Sequence, residues 1–247
     1  VDVAIGGKAC NAQCKAQIKS ARADIVHRRK LSAVLLDVKN FLTKMIKIKV
    51  IAQGVMPTNC IVVQNGTQCV VVDVPYGSED VAKYINANGL TIQAVLLTHG
   101  HFDHCGGVHR LLKQCNAEDV PIYVSPKDAE LCRHAADNIW HVHCDNCFTT
   151  NELTEGELQI GDTRFFVIET PGHTCGSVVF LVEDYMVSGD TLFARGVGRT
   201  DFAESNPYLM KGSLNKLKLL PRNYIVLPGH GGQTTLQFEK DNNPYLK

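Results

Sequence analysis

The residues best equipped to do chemistry stand in one run, Thr98-His99-Gly100-His101-Phe102-Asp103-His104. Imidazoles and a carboxylate this close together are metal ligands by type. Residues two apart in an extended chain face the same way, so His99, His101 and Asp103 are expected to converge on one side. His104 then faces elsewhere, which suits a second, neighbouring ion. Gly100 is expected to let the backbone turn between ligands, and Gly106 and Gly107 to let the next helix approach closely. The bland alternative is a solvated, His-rich turn. Three later segments argue against it: Thr170-Pro171-Gly172-His173-Thr174, Ser188-Gly189-Asp190-Thr191 and Pro228-Gly229-His230-Gly231. Each places its His or Asp after a strand-like run and a glycine-containing turn, where rigid scaffolds present reactive groups.

Five imidazoles and two carboxylates suit Zn²⁺ first, with Fe²⁺ or Mn²⁺ as alternatives. Two such ions activate a water and polarise a substrate carbonyl, so no protein nucleophile is needed. The expected reaction is hydrolysis of an ester, thioester or amide-like bond. Asp103 is the natural general base besides being a ligand.

The elements that must carry these residues mix strands and helices. Lys47 to Ile51 alternates polar and apolar residues. Cys60-Ile61-Val62-Val63 and Cys69-Val70-Val71-Val72 flank Asn65-Gly66, a hairpin signal. Ser78 is expected to cap a helix that ends near Gly89. A strand from Ile92 to Leu97 leads into the His cluster. Residues 106–115 read as helix, Pro121 to Val124 as strand, and Pro126 as the start of another helix. Strands are expected at Thr163 to Ile168, Ser177 to Val182, Tyr185 to Val187 and Tyr224 to Leu227, with a helix over 207–219. This is an α/β pattern of layered sheets.

The chain has 247 residues, 45% hydrophobic and 20% charged, enough for one large domain or two small ones. Its zero net charge hides an asymmetry: residues 1–50 carry eleven Lys and Arg against three Asp, and the remainder is correspondingly acidic. Residues 1–45 read as a basic helical extension, with Val34, Leu35, Val38, Phe41, Leu42 and Met45 at helical spacing, and residues 46–247 as the main domain. The extension is expected to pack on the body, or to bind a protein partner or a second copy. It lacks Glu and begins at Val1, which fits organelle targeting, a trimmed chain or a plain surface helix. No membrane span is expected.

The ten Cys are scattered and often sit inside apolar runs. They read as buried free thiols of an intracellular, reducing compartment, the cytoplasm or an organelle matrix such as the mitochondrion. Cys132, His134, His141, His143, Cys144 and Cys147 have spacing that could hold a structural zinc, against the alternative of a Cys- and His-rich mobile segment. Trp140 is expected to pack rather than to line a pocket. Cys105 and Cys175 lie near the proposed ligands and are expected to be small buried hydrophobes. Asn65-Gly66-Thr67 matches a glycosylation sequon that the hairpin turn already explains.

The order of these motifs resembles the metallo-β-lactamase superfamily and, within it, the small glyoxalase II-like (hydroxyacylglutathione hydrolase-like) hydrolases. The resemblance covers about residues 46–247, including Gly196-Val197-Gly198-Arg199-Thr200-Asp201-Phe202 and Asn243-Pro244-Tyr245-Leu246. It implies a four-layer αββα sandwich with two metals at one edge. By motif, His99, His101 and His173 would hold the first ion, Asp103, His104 and His230 the second, and Asp190 would bridge them. Asp73 falls where the family has an acidic residue behind a ligand His, although Val74-Pro75 follows it here instead of the usual Pro-Gly. Arg199 either binds an acidic group of the substrate or pairs with Asp201. The resemblance favours a thioester such as an acyl-glutathione. Full glyoxalase II enzymes carry a further helical domain, and with seventeen residues after His230 none is expected here, which counts against glutathione.

Two rival readings remain. The Gly198-to-Phe202 run also resembles the one-iron persulfide dioxygenases, but those have Pro-Ala-His-Asp around the last His, where this chain has Pro-Gly-His-Gly. A non-catalytic subunit of a larger assembly would suit the basic extension, against the intact ligand set. No nucleic-acid partner is expected, because the body is acidic and has no room for the extra domain of the nucleic-acid-processing members.

Overall fold

The computed structural model of the protein describes residues 46–54, 56–137, 141, 144 and 149–247. The expected helical extension over 1–45 lies outside the described residues. Two six-stranded sheets form the frame. The first runs in chain order through β1 (Lys47–Gln53), β2 (Thr58–Asn65), β3 (Gln68–Val72), β4 (Thr91–Leu96), β5 (Ile122–Val124) and β6 (Asn151–Glu152). The second contains β7 (Gly156–Ile160), β8 (Thr163–Glu169), β9 (Val178–Val182), β10 (Tyr185–Gly189), β11 (Ile225–Pro228) and β12 (Thr234–Thr235). Six α-helices accompany them among the described residues: α1 (Glu79–Ala87), α2 (Phe102–Cys105), α3 (Val108–Gln114), α4 (Ala129–Arg133), α5 (Pro207–Lys218) and α6 (Leu236–Asn242).

Strand alternation builds three apolar layers. On β2 and β3, Ile61, Val63, Val70 and Val72 face inward, where they meet Phe165, Val167, Val178 and Phe180 of the second sheet. Cys60, Val62, Cys69 and Val71 face outward and are covered by Val81 and Ile85 of α1 and by Val108, Leu111 and Leu112 of α3. On the far side, Val179, Leu181, Met186 and Val226 pack against Met210, Leu214 and Leu217, one face of α5. Strands buried on both faces read as unbroken apolar runs, and these do. The result is the expected αββα sandwich.

Local chemistry explains most boundaries. Asn65-Gly66 turns the β2–β3 hairpin, with Gly66 at φ 63°. Asn206 caps α5 by accepting from the Tyr208 and Leu209 amides at 2.9 and 3.1 Å, and Pro207 fills its first position. Ser78 stands at the start of α1, but its side chain makes no capping bond. Pro126 does not start a helix. Residues 126–128 form a turn closed by the Asp128 amide on the Ser125 carbonyl, and α4 begins at Ala129. No helix among the described residues is long and apolar enough to cross a membrane.

Topology brings one set of strand ends together. β3 and β4 are parallel, so the chain leaves both at the same edge. In the second sheet β10 and β11 are parallel, and β8 and β10 are each antiparallel to β9, so all three also end at one edge. Backbone bonds join the two edges: Asn59 N–H donates to Gly229 O at 2.7 Å and Val178 N–H to Thr98 O at 2.8 Å.

Candidate metal centre

Five strand ends deliver the candidate residues. Asp73 follows β3, the His99 to His104 segment follows β4, His173 follows β8, Asp190 follows β10 and His230 follows β11. The period-two expectation holds only for the start of the His segment. At Phe102 the chain enters the helical turn α2, so Asp103 and His104 reach the pocket from adjacent helical positions. Gly100 serves a different purpose from the turn expected of it. A Cβ there would lie 2.7 Å from the Asp128 carbonyl oxygen, so the glycine allows close approach.

The structure brings all seven side chains together. Their ligand atoms form three groups, each within 4.8 Å: His99 with His101 and His173, His99 with His104 and Asp190, and Asp103 with His104 and His230. His101 Nδ1 lies 2.9 Å from His173 Nε2, and His104 Nε2 lies 3.3 Å from His230 Nε2. Asp103 Oδ2 is 3.2 Å from His230 Nε2. Asp190 Oδ2 is 3.5 Å from both His173 Nε2 and His230 Nε2. His99 Nε2 and Asp190 Oδ1 are buried without a hydrogen-bond partner among the described residues.

The far side of every ring is pinned. His104 Nδ1 donates to Asp73 Oδ2 at 2.8 Å, His173 Nδ1 to the Arg199 carbonyl at 2.8 Å, and His230 Nδ1 to the Pro57 carbonyl at 2.9 Å. His101 Nε2 donates to Glu204 Oε1 at 2.7 Å. His99 Nδ1 donates to Thr98 Oγ1 at 3.0 Å, and that hydroxyl donates in turn to Asp73 Oδ2 at 2.8 Å. Carbonyl and carboxylate oxygens only accept, so the outward nitrogens carry the protons. The inward nitrogens of neutral rings are then bare lone pairs. Lone pairs facing each other at 2.9 and 3.3 Å repel unless a proton or a cation lies between them. Together with the two orphaned buried atoms, this donor set fits bound metal.

The surroundings charge the two sides differently. Burial pushes the His99 imidazole well below its ordinary value, and the neighbouring imidazoles add to the effect. Burial also lowers His173, against the pull of Asp190. At His104 burial opposes the charge, but Asp73, Asp103 and Asp190 lift it well above the ordinary value. His230 is raised too, because Asp103 and Asp190 outweigh its burial. The same pairing keeps Asp103 and Asp190 below the usual carboxylate range despite burial, chiefly through His104.

Asp73 is buried, and its backbone sits in the left-handed region at φ 55°, a strained conformation held by its bonds to Thr98 and His104. Arg199 makes two bonds to Asp201, at 2.6 and 2.7 Å, and its guanidinium stacks 4.3 Å from the Phe202 ring centroid. Of the two roles open to it, the structure shows the ion pair, although Arg199 still lines the cavity above the cluster. That cavity holds about 680 Å³, with apolar walls from Met56, Phe102, Leu131, Phe193, Val197 and Phe202. Sequence reasoning missed Glu204 and Asp128. Each contacts residues distant in the chain, and neither lies in a motif.

The other sequence expectations fare unevenly. Among the described residues the three metal-capable groups all belong to this pocket, and none includes Cys132, His134 or Cys144. Cys105 is buried and interacts with Cys132 and Cys144. Cys175 is exposed, not a buried hydrophobe. Trp140, His143 and Cys147 lie outside the described residues.

Comparison with known proteins adds a family. A profile of the Metallo-beta-lactamase superfamily matches residues 53–230. The chain is 33% identical to the Probable metallo-hydrolase YqgX of Bacillus subtilis, over 78% of this chain and 94% of that protein. It is 32% identical to the Hydroxyacylglutathione hydrolase GloC of Haemophilus influenzae, over 81% of this chain and 97% of that protein. The crystal structure of TTHA1623 in a di-iron-bound form superposes with a TM-score of 0.73 at 34% identity, covering 80% of this chain and all of that one (100%). The crystal structure of ETHE1 from Myxococcus xanthus superposes with a TM-score of 0.65 at 27% identity, covering 81% and 83%.

Proposed function

The chain belongs to the metallo-β-lactamase superfamily as a metallo-hydrolase, and from that premise we propose that it hydrolyses thioesters or related esters at a two-metal site. The observation that carries this reading is the set of inward nitrogens, each backed by a partner that fixes the outward proton. His99, His101 and His173 would hold one ion, Asp103, His104 and His230 the other, and Asp190 would touch both. Zn²⁺ suits the donors, and the di-iron relative keeps iron in play beside Mn²⁺. When bound, such ions supply an activated water and a Lewis acid for the carbonyl.

The chain's own residues do the rest. Asp103, held ionised, takes a proton from the attacking water at Oδ2, the oxygen that faces His230. Asp73 orients His104 and, through Thr98, His99. The apolar walls seat the acyl group and exclude bulk water. A relative named as a hydroxyacylglutathione hydrolase makes acyl-glutathiones the first thioesters to try.

The one-iron persulfide dioxygenase reading shares the Gly198 to Phe202 run. Pro228-Gly229-His230-Gly231, in place of Pro-Ala-His-Asp, favours the hydrolase over it, and the complete Asp103, His104 and His230 group favours an enzyme over a non-catalytic subunit. A decisive experiment loads the protein separately with zinc and iron and screens glutathione thioesters, simple thioesters, lactones and glutathione persulfide. Thioester turnover without oxygen consumption supports the proposal, whereas oxygen consumption with the persulfide and no hydrolysis overturns it. We further propose a reducing compartment inside the cell, because the cysteines often sit inside apolar runs, as small buried hydrophobes do. Partner binding through residues 1–45 is likewise a proposal.

A further inference from the structure

One buried carboxylate belongs to neither set of candidate ligands. Asp128 stands at the N-cap position of α4 and is 1% exposed. An aspartate there ordinarily accepts from the first amides of its own helix. This one makes no such bond. Its side chain turns to two other loops instead. Oδ2 accepts from Gly100 N–H at 3.0 Å and from the Thr174 hydroxyl at 2.6 Å, and Oδ1 accepts from Gly176 N–H at 2.7 Å. Gly100 separates His99 from His101, and Thr174 follows His173. The first loop leaves β4 of one sheet and the second leaves β8 of the other. A Cβ at Gly176 would lie 2.6 Å from Asp128 Oδ1, so only glycine lets the carboxylate reach that amide.

We propose that Asp128 is a positioning residue that sets the distance between the His99–His101 loop and the His173 loop, and thereby the metal affinity of that half of the site alone. The inference rests on reading the clustered side chains as ligands. Bonds to an ionised carboxylate are short and strong, and Asp128 spends all three on these two loops. The other half takes its support elsewhere: His104 from Asp73 and His230 from the Pro57 carbonyl. Without the carboxylate, two buried amides lose their acceptor and the loops relax apart.

The test titrates metal-free protein with Zn²⁺ alone against a chromophoric chelator, resolving two binding steps. Wild type, Asp128→Asn, Thr174→Val and the reference variant His173→Ala are compared, and thermal unfolding of each metal-free chain reports its fold. Asp128→Asn is expected to unfold cooperatively and to weaken, by about 10- to 100-fold, the step that His173→Ala removes, leaving the other step unchanged. Thr174→Val, which removes one of the three bonds together with the Thr174–Ser177 hydroxyl contact, shows the same selectivity with a smaller effect. Equal weakening of both steps, or no change in either, overturns the proposal. If Asp128→Asn does not fold, Thr174→Val decides by the same criterion. A wild-type chain that binds no ion overturns the ligand reading and this inference together. A two-ion wild type with an unaltered Asp128→Asn overturns this inference alone.

Discussion

Around His99, His101 and His173 the pocket is built mainly of imidazoles, and burial holds His99 and His173 below their ordinary values. Around His104 and His230 it is built of carboxylates: Asp103 and Asp190 hold both rings above theirs, and Asp73 adds to the effect at His104 alone. The two halves therefore offer a cation the same kind of nitrogen in different fields. The first supplies imidazole donors on loops that Asp128 ties across the sheets. The second supplies negative charge around Asp103, the base of the proposed hydrolysis. Asp190 is shared, facing His173 on one side and His104 and His230 on the other.

Removing the shared residue is the strongest way to break this comparison. Asp190→Ala is expected to abolish turnover and weaken both ions, read by activity and metal content; full activity in that variant contradicts the two-metal mechanism. Asp103→Asn acts on the carboxylate-rich half alone. It is expected to lower kcat by about 100- to 10,000-fold, the usual worth of a positioned base, while one ion stays bound. Steady-state kinetics beside metal analysis separate that outcome from general loss of metal.

Asp73→Asn sharpens the contrast, because it removes a carboxylate behind His104. Metal affinity of that half is expected to fall by about 10- to 100-fold, with a smaller loss in the other half, where Asp73 backs His99 through Thr98. The metal-free protein gives a second readout through pH. His99, lowered in the fold, is neutral when folded but takes a proton when unfolded near pH 6.5, so acidification through that range costs stability. His104, raised in the fold, keeps its proton to higher pH than the unfolded chain does. Its contribution is present below about pH 6.5 and fades as the pH rises through the folded value. The two oppose each other. Asp73→Asn weakens the His104 contribution, so denaturant unfolding from about pH 7.5 down to about pH 6 is expected to show a steeper loss than in wild type. An unchanged slope removes Asp73 from the account.

Glu204→Gln carries the smallest expected effect. The amide can still accept from His101 Nε2, so the affinity of the imidazole half is expected to drop by no more than about 10-fold. The same titration checks it, and a larger loss in the carboxylate half contradicts the assignment.

Much of this was readable in the chain. The strands of both sheets announce themselves as β-branched apolar runs, and the αββα layering follows from strands buried on two faces. The edge elements are harder to see. β7 alternates exposed Glu157 and Gln159 with half-buried Leu158 and buried Ile160, and α6 buries only Leu236 and Glu239. Neither carries enough apolar signal to stand out. At the site, His99 to His104 could be found because its residues are contiguous. His173, Asp190 and His230 could be found because each follows a strand and a glycine. Period-two reasoning failed at Phe102, where the backbone coils into α2. Asp128 and Glu204 were hidden because their partners are distant in the chain: Gly100 is 28 positions from Asp128, and His101 is 103 positions from Glu204. No local pattern encodes such a contact.

The most direct test of the central claim is a crystal structure of metal-loaded protein with anomalous scattering recorded at the metal edge. The account predicts two peaks in each chain. One lies within bonding reach of His99, His101 and His173, the other within reach of Asp103, His104 and His230, and Asp190 contacts both. A single peak, or rings still hydrogen-bonded to one another with no ion between them, contradicts it.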